Sequence, residues 1–180
     1  MVPFFDVFLI LFVGLAAGFD LREQRIPNWL TLLALIGGLV LNFRQGVPQL
    51  LSSLAGLGLG VGIFMIPFAL GWLGAGDVKF LGSVGAILGV QCVPRVLFYT
   101  TLLGWMLALI SIALRGVNLQ VLKEAGRDIK LLLMSHGAVL PETVRERSLK
   151  GVRTVPYGVA IGLGTLVTFY VDPKGDWAGF

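Results

Sequence analysis

Asp20 and Asp77 are the two residues whose placement asks for a chemical explanation. An apolar stretch over residues 4–19 ends at Asp20, and Asp77 lies between an apolar run over residues 50–73 and another that begins at Phe80. A carboxylate set among such segments is costly unless it faces protein or water and has a use. Two carboxylates brought close cannot both ionise cheaply, so they share a proton and titrate as a pair. One then takes a proton from an attacking water, while its protonated partner hydrogen-bonds a carbonyl and later assists the leaving amine. This is amide hydrolysis with no cofactor and no metal. The composition points the same way: Cys92 is the only cysteine and His136 the only histidine, which leaves no cysteine zinc site, no histidine-rich cluster and no internal disulfide. Cys92 reads as an inert buried thiol.

The surroundings of each acid matter as much as the acids. Asp77 belongs to Gly74-Ala75-Gly76-Asp77-Val78-Lys79. Gly74 and Gly76 allow backbone angles closed to other residues and a close approach by a second chain, so Asp77 is expected on an irregular turn at a helix end. Lys79 reads first as an interface lysine that snorkels, and second as an aid to the carboxylates. Glu23 is a rival partner for Asp77, ranked lower because Arg22 and Arg25 offer it surface pairing. A plainer account stands beside the chemical one: Asp20 flanks one helix and Asp77 caps another, aspartate being a favoured N-cap.

The elements that would hold these residues are helices. The chain has 180 residues, 56% of them hydrophobic and 13% charged, with a mean hydropathy of +0.88. That charge fraction is about half that of a soluble domain, and the expected fold is all-α: one polytopic bundle of six transmembrane helices forming a single domain over residues 1–180. The helices are expected over residues 4–19, 28–41, 49–73, 78–90, 96–114 and 155–171. Pro27 is placed to start the second, Pro67 to kink the third, and Pro94-Arg95 to break the run before the fifth. The start, Met1 to Asp6, has no basic region ahead of its apolar run, so the first helix reads as retained rather than as a cleaved signal. Gly14/Gly18, Gly56/Gly60, Gly58/Gly62, Gly85/Gly89 and Gly158/Gly162 are spaced for backbone-to-backbone helix packing. Residues 115–153 are the one long polar segment. Leu119, Leu122, Ile129 and Leu133 recur there near helical spacing, as in an amphipathic cytoplasmic helix on the membrane surface, and Pro141 opens a second short helix.

Of the 14 basic residues, all but Arg44, Arg95 and Lys174 fall in the first, third and fifth connections. That asymmetry puts those connections in the cytoplasm and both termini outside. It also puts Asp20 and Asp77 at one face, whereas transport sites generally lie near the bilayer midplane. A small transporter or channel using the two acids, and a non-catalytic subunit of a secretion machine, are the competing classes. The net charge of +4 is a topology signal, with no aromatic-basic patch for nucleic acid.

Three blocks in order, Asp20 with Ile26-Pro27-Asn28, then Gly74 to Lys79, then Val155-Pro156-Tyr157-Gly158, make the chain resemble the prepilin peptidases. These are the type IV leader peptidases, aspartic proteases of the Gly-x-Gly-Asp class. The resemblance implies that Asp20 and Asp77 are the catalytic pair, that Gly74, Gly76 and Lys79 support them, and that Pro27, Asn28, Pro156 and Gly158 lie near the substrate. It implies cleavage of the short basic leader of a pilin-like precursor, after a glycine, at the cytoplasmic face of the cell membrane. Membrane lipid and pilus or secretion assembly components are the implied partners. Larger members carry a cytoplasmic domain after the first helix, often with a four-cysteine zinc site and associated with N-methylation of the trimmed pilin. Here the first helix passes directly to Asp20, which puts methyltransferase activity in doubt and makes the chain more similar to the short peptidases of tight-adherence (Flp) pilus systems. Archaeal preflagellin peptidases are a neighbouring alternative. Presenilin-type proteases share Gly-x-Gly-Asp, but the chain has no Pro-Ala-Leu block.

Overall fold

The structure, a computed structural model, describes residues 3–69, 73–115 and 157–171. Every regular element among them is a helix: α1 Pro3–Glu23, α2 Asn28–Phe43, α3 Val47–Ala69, α4 Ala75–Leu88, α5 Val93–Arg115 and α6 Tyr157–Leu166, which continues as a π-helical turn Val167–Val171. The segment 116–156, with its expected surface helices, and the tail 172–180 lie outside the described residues. So does Pro156.

Local chemistry explains the boundaries, and some differ from expectation. α1 runs one turn past residue 19, so Asp20 is inside the helix. Nothing in Leu21-Arg22-Glu23 breaks a helix, and the chain leaves only at Gln24, whose φ of 51° is left-handed. Pro27, at φ −61° and ψ 135°, then starts α2, its carbonyl accepting from the Leu30 N–H at 3.1 Å. Gly46 (φ 121°) turns the chain into α3, and Gly89 (φ 84°) ends α4; both conformations favour glycine. The break before the fifth helix comes ahead of Pro94 rather than at it. Pro94 sits in the first turn of α5, where its missing N–H has no intrahelical partner to lose.

α4 is the axis of the bundle. Its residues from Phe80 to Ile87 are all buried, as expected for a helix apolar or small on every side and covered all round. α3 packs on it most intimately, α2 and α6 also cover it, and α6 in turn bridges to α1 and α5. Phe80, Leu81, Val84 and Ile87 meet Leu9, Phe12 and Val13 of α1 and Ile161 of α6 in one core, with Phe12 edge-on to Phe80 at 5.2 Å.

The contact of α3 with α4 explains part of the glycine pattern. A Cβ on Gly56 would collide with the Gly85 carbonyl and lie 2.8 Å from the Gly89 backbone, and one on Gly60 would lie 2.9 Å from the Leu81 carbonyl oxygen. Gly58 and Gly62, about 200° round the same helix, and likewise Gly14 and Gly18, would meet nothing within 4 Å. Those two pairs therefore serve no packing among the described residues. Away from the glycines, Asn42 of α2 donates to the Ala86 and Ile87 carbonyls at 3.2 and 2.9 Å, and Ser53 of α3 donates to the Ala86 carbonyl. These side chains satisfy carbonyls at the end of α4 that the helix cannot.

The outer faces are apolar: Leu11, Leu33, Ile66 and Trp105 are among many large hydrophobic side chains left exposed. Val47–Ala69 and Val93–Ile110 are long and apolar enough to cross a bilayer. An exterior of this kind is unsuited to water and suited to lipid, so the chain reads as a membrane protein.

Candidate active site

Four helix ends and one connection converge at one end of the bundle. The last turn of α1 brings Asp20, the connection brings Gln24 to Pro27, α2 begins with Asn28, α4 begins with Ala75 after Gly74, and α6 begins with Tyr157. Together they enclose a cleft of about 480 Å³. Asp20, Pro27, Asn28, Gly74, Gly76, Asp77 and Lys79 all line it. Gly158 backs Asp20 from behind. Glu23, one turn beyond Asp20, is exposed and is not among the lining residues.

Asp20 is 6% exposed. The N–H groups of Gly158 and Val159, at the start of α6, are directed at its carboxyl. Its Oδ2 is nevertheless buried without a hydrogen bond of regular geometry. The approach is close: a Cβ on Gly158 would stand 2.8 Å from Oδ2. A side chain at this position would have to displace the Asp20 carboxyl or α6.

Asp77 is partly buried in the first turn of α4. Its Oδ2 accepts the Gly74 N–H at 3.1 Å, and its own N–H donates to the Gly74 carbonyl at 3.1 Å. This is half of a capping box, because glycine has no side chain to return the bond. The expected irregular turn is therefore not what the glycines form. Gly74, at φ −79° and ψ 154°, is ordinary extended backbone, and Gly76 is helical. Gly76 matters as a wall instead: an added Cβ would face Ile26 at 3.5 Å, an ordinary contact distance. The plainer account is realised in part, since Asp77 does close the start of α4, but from its third residue and with one oxygen engaged.

Lys79 is exposed, yet its ammonium is engaged, donating to Asn28 Oδ1 at 2.8 Å. One turn further along α4, Ser83 Oγ lies 2.9 Å from the Thr31 carbonyl oxygen. These two contacts tie α4 to α2 alongside the cleft.

The acids influence one another. Asp77 is pushed up to about 6, chiefly by burial and further by the charge of Asp20, against the pull of the Gly74 N–H. Burial also raises Asp20, opposed by the N–H groups of Gly158 and Val159. Both acids lie at helix ends, outside the two candidate spans. A pair of carboxyls that share one cleft, one of them holding its proton up to about pH 6, can supply a base and an acid to the same substrate.

Tyr157 went unselected in the sequence as a site residue, although it stands between Pro156 and Gly158. It lines the cleft, its ring 6.1 Å from that of Phe64 on α3. Gly104 of α5 leaves room for it: a Cβ there would lie 3.1 Å from Tyr157 Cε2. Arg25 and Gln24 also line the cleft, and only the return of the connection over α4 reveals it.

Comparison with known proteins follows the same residues. The chain is similar to the prepilin leader peptidase/N-methyltransferase of Aeromonas hydrophila, 33% identical over 107 residues, covering 54% of this chain and 36% of that protein. The protein of that name from Escherichia coli (strain K12) is 34% identical over 99 residues, 51% of this chain and 44% of that one. The one from Dickeya chrysanthemi is 32% identical over 117 residues, 61% and 41% respectively. The chain thus spans less than half the length of these relatives. No solved structure matches it. The sequence model of the type IV leader peptidase family matches residues 7–109, a stretch that includes both acids of the cleft and most of the helices that hold them, and the chain belongs to that family.

Proposed function

We propose that this protein is an aspartic endopeptidase that removes the short basic leader of a type IV pilin-like precursor, after a glycine, with Asp20 and Asp77 as the catalytic pair. The observation that carries the reading is the meeting of two carboxyls from α1 and α4 in one cleft, close enough for the charge of Asp20 to act on Asp77. Membership of the family supports the same chemistry. The cleft sits at the cytoplasmic side of the cell membrane, in keeping with the basic connections, and both termini are outside. A precursor whose apolar helix lies in the bilayer presents its leader junction there without being unwound. A glycine before the cut suits a narrow cleft, since it brings no side chain. Gly74, Gly76 and Lys79 shape and brace the catalytic end of α4, while Pro27, Asn28, Pro156 and Gly158 border the substrate. The names of these relatives join peptidase and N-methyltransferase. With one cysteine in the chain, the activity proposed here is the peptidase alone.

Reconstituted protein is incubated with a purified pilin-like precursor, and the mature terminus is read by mass spectrometry. Asp20→Asn and Asp77→Asn each abolish cleavage while inserting normally, and Glu23→Gln retains most of it. Full activity in either aspartate variant overturns the reading, and so does efficient cleavage with a bulky residue in place of the precursor's −1 glycine. A methylated product made by this chain alone overturns the peptidase-only assignment.

A further inference from the structure

The two acids of the cleft are held in unequal ways, and the difference assigns them separate tasks. Asp20 is nine-tenths buried and faces the start of a ten-residue helix whose Gly158 and Val159 N–H groups point at its carboxyl. Two backbone donors and the positive end of a helix favour an anion there. Asp77 also lies in a first helical turn, but a single N–H, that of Gly74, reaches it. We infer that the N-terminus of α6 keeps Asp20 as the ionised member of the pair, so that Asp20 accepts the proton of the attacking water, Asp77 carries the shared proton to the substrate carbonyl, and Gly158 is the positioning residue that makes this possible.

Gly158 has this role for a geometric reason. The α6 backbone can approach Asp20 only because no Cβ intervenes; the first side-chain atom of any other residue would stand 2.8 Å from Oδ2 and 2.9 Å from Cγ. Moving α6 away to relieve that contact removes both N–H donors at once. Oδ2 is buried and lacks a regular hydrogen bond, while Asp20 as a residue lines the cleft that the attacking water would occupy. The other charged or titratable groups at the cleft are Arg25 of the connection, Asp77 and Lys79 of α4, and Tyr157 of α6. Arg22 and Glu23 of α1 lie exposed beyond Asp20. α2 brings Asn28, and α3 and α5 bring no lining residue among those described. Lys79 is already engaged by Asn28, while the start of α6 lies directly against Asp20.

The step balances as follows. Water oxygen bonds to the scissile carbonyl carbon, its proton passes to Asp20, and the Asp77 proton passes to the carbonyl oxygen. The tetrahedral diol then collapses: the C–N bond breaks, Asp20 returns its proton to the leaving amine, and a diol hydroxyl returns one to Asp77. The pair is restored with Asp20 ionised.

The assignment rests on the peptidase reading, and its test separates the two. Precursor cleavage by the full chain is followed against pH for wild type, Gly158→Ala and Gly162→Ala. Gly162 lies on the same helix, where an added Cβ meets Val13 Cγ1 at 3.1 Å and not a carboxyl. Gly158→Ala is expected to lower kcat at least tenfold and to move the acidic limb of kcat/KM upward by a unit or more, whereas Gly162→Ala leaves that limb in place. An acidic limb unmoved by Gly158→Ala overturns the proposal. Carbon-13 carboxyl titrations of Asp20→Asn and Asp77→Asn test it again without any need for turnover or for the glycine variant to fold. Asp77 in the first must titrate higher than Asp20 in the second, and the reverse order overturns the assignment. Absence of cleavage by wild type sinks the peptidase reading while leaving the titration order to be decided.

Discussion

Replacing Asp77 by asparagine should make the protein more stable at neutral pH, and by an amount that depends on pH. The folded protein holds the Asp77 proton up to about pH 6, against 3.8 for an ordinary aspartate. Between those values the folded state binds more protons than the unfolded one, so stability falls as pH rises through that window. Below the unfolded value nothing is lost, and above about 6 the loss is complete. Two units correspond to a ceiling of about 3 kcal/mol. Asp77 is partly exposed and water relieves part of this, so about 2 kcal/mol is the expected gain. Asparagine keeps an oxygen for the Gly74 N–H, so the start of α4 is preserved while the cost of a buried charge disappears. For a chain of this size that gain is worth a rise of about 4–8 °C in melting temperature. Thermal unfolding of wild type and Asp77→Asn in the same detergent, at pH 7.5 and pH 4, reads it directly. The variant should melt higher at pH 7.5, and the two should nearly coincide at pH 4. An equal difference at both pH values, or none at either, would refute the reasoning, because it would show that ionisation of Asp77 costs the fold nothing. The gain would also mark the site as one where stability is given up for chemistry.

Three further outcomes follow from the packing. Gly56→Ala drives a methyl into the Gly85 carbonyl and should lower unfolding stability by about 1–3 kcal/mol, whereas Gly58→Ala, on the open side of the same helix, should raise it by up to about 1 kcal/mol; equal effects would mean that the α3–α4 contact is not backbone to backbone. Asn42→Ala strands carbonyls at the end of α4 and should cost about 1–3 kcal/mol with little change in KM, measured by denaturation and by cleavage kinetics. Gly76→Ala should fold normally, since the new carbon lies 3.5 Å from Ile26, yet slow cleavage by narrowing the cleft wall; unchanged turnover would show that the substrate does not touch this wall.

The helices and the chemistry-bearing residues were legible in the chain itself. Long apolar runs separated by polar or proline-containing connections give the six helices of the described residues because a segment of that composition has little choice but to satisfy its backbone internally. An acid at the edge of such a run is conspicuous for the cost of its burial, which is why Asp20 and Asp77 stood out singly. The boundaries were less legible. Asp20 to Glu23 continue α1 because a polar residue does not stop a helix, and Pro94 starts α5 because proline breaks helices only in their interior. The turn expected at the Asp77 glycines is not formed for a related reason: composition reports that a residue can adopt unusual angles, not that it does. Only the tertiary structure decided which glycine faces which neighbour. Gly56 and Gly58 differ by about 200° of helical rotation, and nothing in a spacing of four says which side meets α4. Likewise the contact of Gly158 with Asp20 joins residues at opposite ends of the chain, and the N–H donors that act on the acid are backbone groups carrying no sequence signature. What each residue can do chemically is local and can be read in order; which residues meet depends on how the helices rotate and pack, a collective result of the whole core.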